Sequence, residues 1–266
     1  MIKADLHNHL GKGGKFSNFD NVVNIAYNNF QGPGMFAVLN SAPDDYRYEK
    51  LIGSLDKEKD KYERVWTENT KNALFVPKKN IFIIKGQEIE SDEGHIIILG
   101  LPINKNIRYP GLKSILMQAQ EEGFAIIAPH PFYSESIGYS FKQNTGNYLE
   151  YFDSIETFNG SAEFWFPGIL PKNANKKARE FYSQIPIDYN IGQCSGTDGH
   201  DERVIGKCWT EISLGDRYNS KILNTNLKQG LRNAKSPKTR NSPNYLDSIN
   251  HAKNMALSKI KNRLNL

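Results

Sequence analysis

Cysteine is scarce in this chain: only Cys194 and Cys208 occur among 266 residues. Two thiols so spaced fit no zinc-finger pattern and exclude a disulfide scaffold. We read them as small buried thiols in neighbouring strands, suited to a reducing compartment. Long apolar runs are absent too, none approaching the ~20 residues of a membrane helix. The opening Met1-Ile2-Lys3-Ala4-Asp5-Leu6-His7-Asn8-His9 has no apolar segment of secretory type, so a cytoplasmic protein without membrane attachment is expected. A large charge surplus is also missing. The net charge of +5 does not demand nucleic acid, although it suits an anionic substrate. With 38% apolar and 24% charged residues, the composition is that of a soluble protein, and this length suits one α/β domain.

Apolar runs of strand type alternate with helical patterns along the chain, which predicts a parallel α/β architecture. Ile2, Ala4 and Leu6 mark a first strand. A helix capped by Ser17 or Asn18 follows, and Met35–Leu39 forms the second strand. The charged stretch from about Asp44 to Leu74 is predicted to be helical. Ile81–Ile84, Ile96–Leu99, Phe124–Ala128, Ile191–Ser195 and Val204–Ile212 continue the strand-like runs, and a polar, aromatic loop leads to Ser154–Gly160. Helices are expected at Leu112–Glu122, Lys172–Ser183 and Ser220–Arg232. Residues 1–240 are assigned to this α/β domain. The tail 241–266 reads as an amphipathic helix packed on that domain or on a partner subunit. Its Leu246, Ile249, Ala252, Met255, Ala256 and Ile260 fall at helical spacing.

The chemistry is carried by histidines and acids at the ends of the apolar runs. His7, His9, His130 and His200 each follow such a run, as do Glu88 and Asp198; His95 precedes its run. His7 and His9 stand two apart, so on a strand both imidazoles face the same way, and Asp198-Gly199-His200 has the same spacing. In a β/α barrel the carboxyl ends of the strands meet on one face. His95 joins them only if the chain turns back at Asp92-Glu93-Gly94. Imidazoles with one Glu and one Asp make a mixed nitrogen and oxygen set suited to Zn²⁺, Mn²⁺ or Fe²⁺, whereas Ca²⁺ and Mg²⁺ prefer all-oxygen shells. A carboxylate such as Glu88 can bridge two ions ~3.5–4 Å apart.

Several ordered motifs resemble the PHP family (polymerase and histidinol phosphatase domains). They are Asp5-Leu6-His7-Asn8-His9, Gly86-Gln87-Glu88, the lone His95, Ala128-Pro129-His130-Pro131, Ile155 to Gly160, and Ser195 to His200 with Ile205-Gly206 and Trp209-Thr210. The resemblance runs from about Met1 to Ile212. It implies a distorted seven-stranded β/α barrel, of TIM-barrel-like PHP type, with a C-terminal helical extension, and hydrolysis of a phosphate monoester or diester by a metal-bridging hydroxide. It further implies that His7, His9, Glu88 and Asp198 hold one metal and that Glu88, His95 and His130 hold a second. His200 corresponds to a ligand of a third.

The chain departs from that pattern where Asn40-Ser41 replaces the family's Asp-His, and where Gly11-Lys12-Gly13-Gly14-Lys15 fills the loop after His9. A protonated lysine has no lone pair to donate to a metal. A binuclear centre is therefore expected, with a weak third site as the alternative. Asp198 and His200 are the expected catalytic residues, and His200 is the candidate acid. Lys15, Lys12 and Arg203 are candidates to bind the phosphate of a phosphorylated small molecule or nucleotide. Glu156 is read as structural or as a support to the ligands. Phe164-Trp165-Phe166 is read first as a core plug, with stacking of a base or sugar as the alternative. Other readings are a nuclease, which that stacking would serve; a non-catalytic scaffold; and a C–N hydrolase, against which stands the bridging position of Glu88.

Overall fold

The computed structural model describes residues 1–11, 18–41, 45–53, 63–67, 70–108, 111–133, 136–143, 148–163, 173–214, 223–235 and 237–239. Lys12, Lys15, the aromatic triplet 164–166 and the tail 241–266 lie outside these residues. In chain order the elements are β1 (Ile2–Asp5), α1 (Phe19–Phe30), β2 (Gly34–Asn40), α2 (Arg47–Gly53), β3 (Glu63–Thr67), β4 (Thr70–Val76), β5 (Ile81–Ser91) and β6 (Gly94–Leu99). Next come α3 (Leu112–Glu121), β7 (Ala125–Ala128), α4 (Gly138–Gln143), β8 (Ser154–Asn159), α5 (Ala174–Tyr182), β9 (Gly192–Gly196), β10 (Cys208–Ile212), α6 (Leu223–Arg232) and β11 (Pro237–Thr239).

Eight strands curl into a nearly closed barrel in the order β10-β1-β2-β5-β6-β7-β8-β9, one more than the seven expected; β11 flanks β10, and the β3–β4 hairpin hangs on β5. The gap between β9 and β10 is bridged where the backbone N–H of Ser195 donates to Thr210 Oγ1 at 2.7 Å. The strand run β1, β2, β5 is parallel, as is β7, β8, β9. β6 runs antiparallel to β5 and β7, and β10 antiparallel to β1.

Period-two alternation sorts the strand residues. Met35, Ala37 and Leu39 of β2, Phe82 and Ile84 of β5, and Ile97 and Leu99 of β6 share one cluster with Leu223, Leu227 and Leu231 of α6. Phe36 and Val38 face the other way, against Val22, Ala26 and Phe30 of α1 and Leu51 of α2. Ile96 and Ile98 pack outward on Leu112, Ile115 and Leu116 of α3. Such continuous apolar strands are what a sheet buried on both faces requires.

The helix expected over Asp44–Leu74 is corrected. Among the described residues of this stretch only α2 is helical, and Glu63–Thr67 pairs antiparallel with Thr70–Val76, of which Ala73–Val76 pair in turn with Ile81–Ile84. The run Ala73-Leu74-Phe75-Val76 extends the sheet, and strand pairing outweighs the helical charge pattern before it. Asn18, not Ser17, caps α1, its Oδ1 accepting from Asn21 N at 2.8 Å. Among the described residues no helix is long and apolar enough to cross a membrane.

One buried charge holds α2 to the barrel. Lys85, in the middle of β5, is fully buried, and its ammonium donates to Glu49 Oε1 (2.5 Å), Pro102 O (2.9 Å) and Lys105 O (2.8 Å). All three N–H donors are therefore used. Removing only the acid strands a buried cation, so Glu49→Ala should lower unfolding free energy by about 3 kcal/mol, whereas Glu49→Ala with Lys85→Met should recover most of the loss. Urea denaturation of both variants measures this, and a single variant as stable as the parent would refute it.

Candidate metal centre

The strands deliver their polar ends to a single rim. The strip His7-Asn8-His9 leaves β1 and lies beside Asp198-Gly199-His200, which leaves β9. Asn8 and Gly199 form a parallel bridge; Asp198 N donates to His7 O and His9 N to Gly199 O, both at 2.7 Å. Gly196 is required at the approach, because a Cβ there would sit 2.3 Å from Glu156 Oε1 and 2.5 Å from His7 Cβ. Asp198 (φ 52°) and His130 (φ 27°) adopt left-handed backbone that non-glycine residues rarely hold without a surrounding structure to fix it. The turn at Asp92-Glu93 closes the β5–β6 hairpin, with Glu90 opposite His95. His95 thus returns to the rim that Glu88 occupies.

Glu88 lies at the centre. Its Oε1 is 3.2 Å from His130 Nε2, 3.2 Å from His95 Nδ1 and 3.5 Å from His7 Nε2; its Oε2 is 2.9 Å from His9 Nε2. Asp198 Oδ1 lies 3.5 Å from His7 Nε2, 3.6 Å from His9 Nε2 and 4.0 Å from His200 Nδ1. All seven expected ligand residues therefore converge. Six are buried, and His95 is partly open.

Most of the imidazoles are held at Nδ1, which turns Nε2 inward. His7 Nδ1 donates to Glu156 Oε1 at 3.1 Å, and His200 Nδ1 to Asp198 O at 3.1 Å. Ser41 Oγ lies 2.9 Å from His9 Nδ1, and Ser136 Oγ 3.1 Å from His130 Nδ1. Glu156 is itself braced, its Oε2 accepting from His130 N (2.8 Å) and Asn159 Nδ2 (2.9 Å). The sequence marked Ser41 only as a departure from the PHP pattern, and no motif pointed to Ser136 or Tyr133 as parts of the site. The half-buried Tyr133 ring lies 5.7 Å from that of His130, and burial together with Asp198 pushes its phenol up to about 12.

The donors fit a divalent ion. His7 Nε2 is buried between two carboxylates, with no hydrogen bond among the described residues. Ligand bonds of ~2.0–2.2 Å in a tetrahedron imply donor separations of about 3.4 Å, close to those seen here. Two groups of donors are near enough to share an ion: His7, His9 and Asp198, and His7, Glu88 and His130. His95 approaches the second group through Glu88. Asn40 is spent elsewhere: its Oδ1 accepts from Arg47 N (2.9 Å) and Tyr48 N (3.3 Å), and its Nδ2 donates to Glu49 and Asn106. Arg203 lies on an exposed turn with its guanidinium bonded twice to Asp201, at 2.8 and 2.6 Å.

Ionisation follows from these contacts. Burial opposes the charged form of Glu88, but His9, His130 and His7 outweigh it and hold the carboxyl well below its usual range. Asp198 is lowered likewise by His7 and His200. Burial would lower His7, yet Asp198 and Glu156 raise it well above 6.5, and Glu88 raises His95. Asp5, buried beneath Thr197 and Gly206, is pushed up to about 6 by desolvation, despite accepting from Thr197 N, Thr197 Oγ1 and Gly206 N.

Several solved structures are similar to this one, two of them as follows. PsfC from Pseudomonas syringae PB-5123 matches at 12% identity over 100% of both chains, with a TM-score of 0.59. A two-domain protein from Bacteroides vulgatus ATCC 8482, containing a predicted PHP-like metal-dependent phosphoesterase, matches at 15% identity with a TM-score of 0.51. That match covers 86% of this chain and 63% of the other. At such identities the likeness is one of fold. No protein-family model matches the chain, and neither does any curated protein sequence.

Two predictions concern metal binding. Glu156→Gln keeps the shape of the His7 support but removes its charge, and should weaken divalent metal binding ~10–100-fold in a chelator competition. The second concerns pH. Without metal, Glu88 and Asp198 stabilise the fold fully above their unfolded values of 4.5 and 3.8, and lose this as pH falls. His7 and His95 contribute fully below 6.5 and lose their contribution as pH rises through the raised folded values. Asp5 tilts the optimum toward acid, since its contribution fades as pH rises through about 6. Metal must displace the histidine protons, so the gap in Tm between metal-loaded and chelated protein should widen from about pH 5.5 to 8. A gap independent of pH would count against these residues as ligands.

Proposed function

We propose that this chain is a PHP-type phosphoesterase that hydrolyses a phosphate monoester or diester at a two-metal centre. The observation that carries this reading is the position of Glu88, with four imidazole nitrogens within 3.5 Å and Asp198 across His7. The predicted PHP-like metal-dependent phosphoesterase within the Bacteroides vulgatus neighbour agrees with it. The proposed ligands are His7, His9 and Asp198 for one ion and His95 and His130 for the other, with Glu88 shared. Zn²⁺, Mn²⁺ and Fe²⁺ all suit a mixed imidazole and carboxylate shell. Such ions supply Lewis acidity, neutralising phosphate charge and making water a better nucleophile near neutral pH.

The remaining work falls to side chains of this protein. Asp198 holds its carboxylate between His7 and His9, while Asn159 Nδ2 donates to its second oxygen at 3.4 Å. His200 is assigned the proton transfer to the leaving oxygen. Because Asp198 O accepts from its Nδ1, Nε2 is the nitrogen that exchanges the proton. The commitment of Asn40 to the start of α2 favours two ions over three. A phosphorylated small molecule or nucleotide is the proposed substrate.

The protein reconstituted with Mn²⁺, Zn²⁺ or Fe²⁺ should hydrolyse an aryl phosphate, a nucleotide or a short oligonucleotide. His200→Asn should lower kcat by ~10²–10⁴-fold with KM little changed, and His7→Ala or Asp198→Asn should abolish both tight metal binding and turnover. Failure of every ester with every metal would overturn the reading. Turnover confined to the oligonucleotide would redefine it as a nuclease.

A further inference from the structure

We propose that Arg47 is the phosphate-binding residue of this site, its guanidinium receiving the non-bridging oxygens of the group held at the metal cluster. The proposal rests on the phosphoesterase reading above and adds a residue to it. Arg47 opens α2 at the rim, its backbone N–H on Asn40 Oδ1 at 2.9 Å. Asn40 ends β2 directly opposite Gln87, and the next residue along β5 is Glu88. The preceding turn ties Arg47 to the ligands. Asp45 Oδ2 accepts from Arg47 Nε at 2.6 Å and from Ser41 N at 3.0 Å, while Ser41 Oγ contacts His9 Nδ1.

A guanidinium carries five N–H donors in a fixed fork. Asp45 takes one edge of it. Nη1 is buried and has no hydrogen-bond partner among the described residues, and the side chain is only 14% exposed. Donors shut away from water without an acceptor are costly, unless a bound molecule brings the acceptor. Burial lowers the guanidinium's pKa, but Asp45 and then Glu88 favour its charged form, so it stays a cation beside the cluster. A planar, charged fork suits phosphate oxygens better than a lysine ammonium does. Arg203, the cation favoured on sequence, is already bonded twice to Asp201.

The test uses the metal-loaded full chain with inorganic phosphate as probe, titrated by calorimetry and used as an inhibitor of ester hydrolysis. Arg47→Gln should weaken phosphate binding at least ~10-fold and raise KM similarly, with a smaller change in kcat and unchanged metal content. Arg47→Lys should restore part of the affinity, as a point charge without the fork. Arg47→Gln that binds phosphate as the parent does would overturn the proposal and leave the phosphoesterase reading intact. Loss of phosphate binding only in step with lost metal or lowered Tm would also overturn it, making Arg47 a support for the Ser41 turn. A parent protein that neither binds phosphate nor cleaves any ester would overturn both.

Discussion

Glu88 is a carboxylate almost sealed from water, and much of the rim is arranged around that charge. Its lone pairs face four imidazoles contributed by three separate segments of chain. An isolated buried carboxylate would take up a proton, but here the surrounding histidines reverse that tendency. The cost of gathering these groups is offset in two ways. Protons shared with the histidines do so in the free protein, and divalent ions do so when bound. The same charge balance makes metal affinity a function of pH.

Imidazoles can serve such a centre only if they cannot turn away from it. The carboxylate of Glu156, the carbonyl of Asp198 and the hydroxyls of Ser41 and Ser136 each meet one Nδ1. Glu156 does more, joining His7, the backbone of His130 and Asn159 around one side chain. The two donor strips are also locked to one another through their backbones. Aim is therefore set by rigid pairing and by the shell behind the ligands, which is where precision in metal sites usually originates.

The corner at Asn40-Ser41 shows how one substitution pattern can rededicate a position. Asn40 caps the start of α2, Ser41 meets His9, and α2 opens with Arg47. Beneath it, the buried Lys85–Glu49 pair fastens the same helix to β5. On the proposed reading, a fixed organic cation stands where a relative would use ligands for another metal.

The candidate ligands other than His95 were legible in the sequence because each follows an apolar run, and in an α/β barrel the ends of parallel strands share a rim. The two-residue spacing of His7 and His9, and of Asp198 and His200, carried the same message at closer range. His95 was legible only conditionally, through the turn at Asp92-Glu93. What sequence by itself determined was the set of donors and the α/β alternation that collects them, since both follow from local periodicity and spacing; the barrel was implied by the PHP resemblance. Tertiary structure alone decided the eighth barrel strand, the β3–β4 hairpin and the Nδ1 partners. It also decided how two cations are engaged: Arg203, which sits beside a ligand in sequence, is bonded twice to Asp201, and Arg47, hidden in an ordinary helix start, is the one proposed to meet the phosphate. These features depend on contacts between segments far apart in the chain, and on competition among partners, neither of which leaves a periodic trace in sequence.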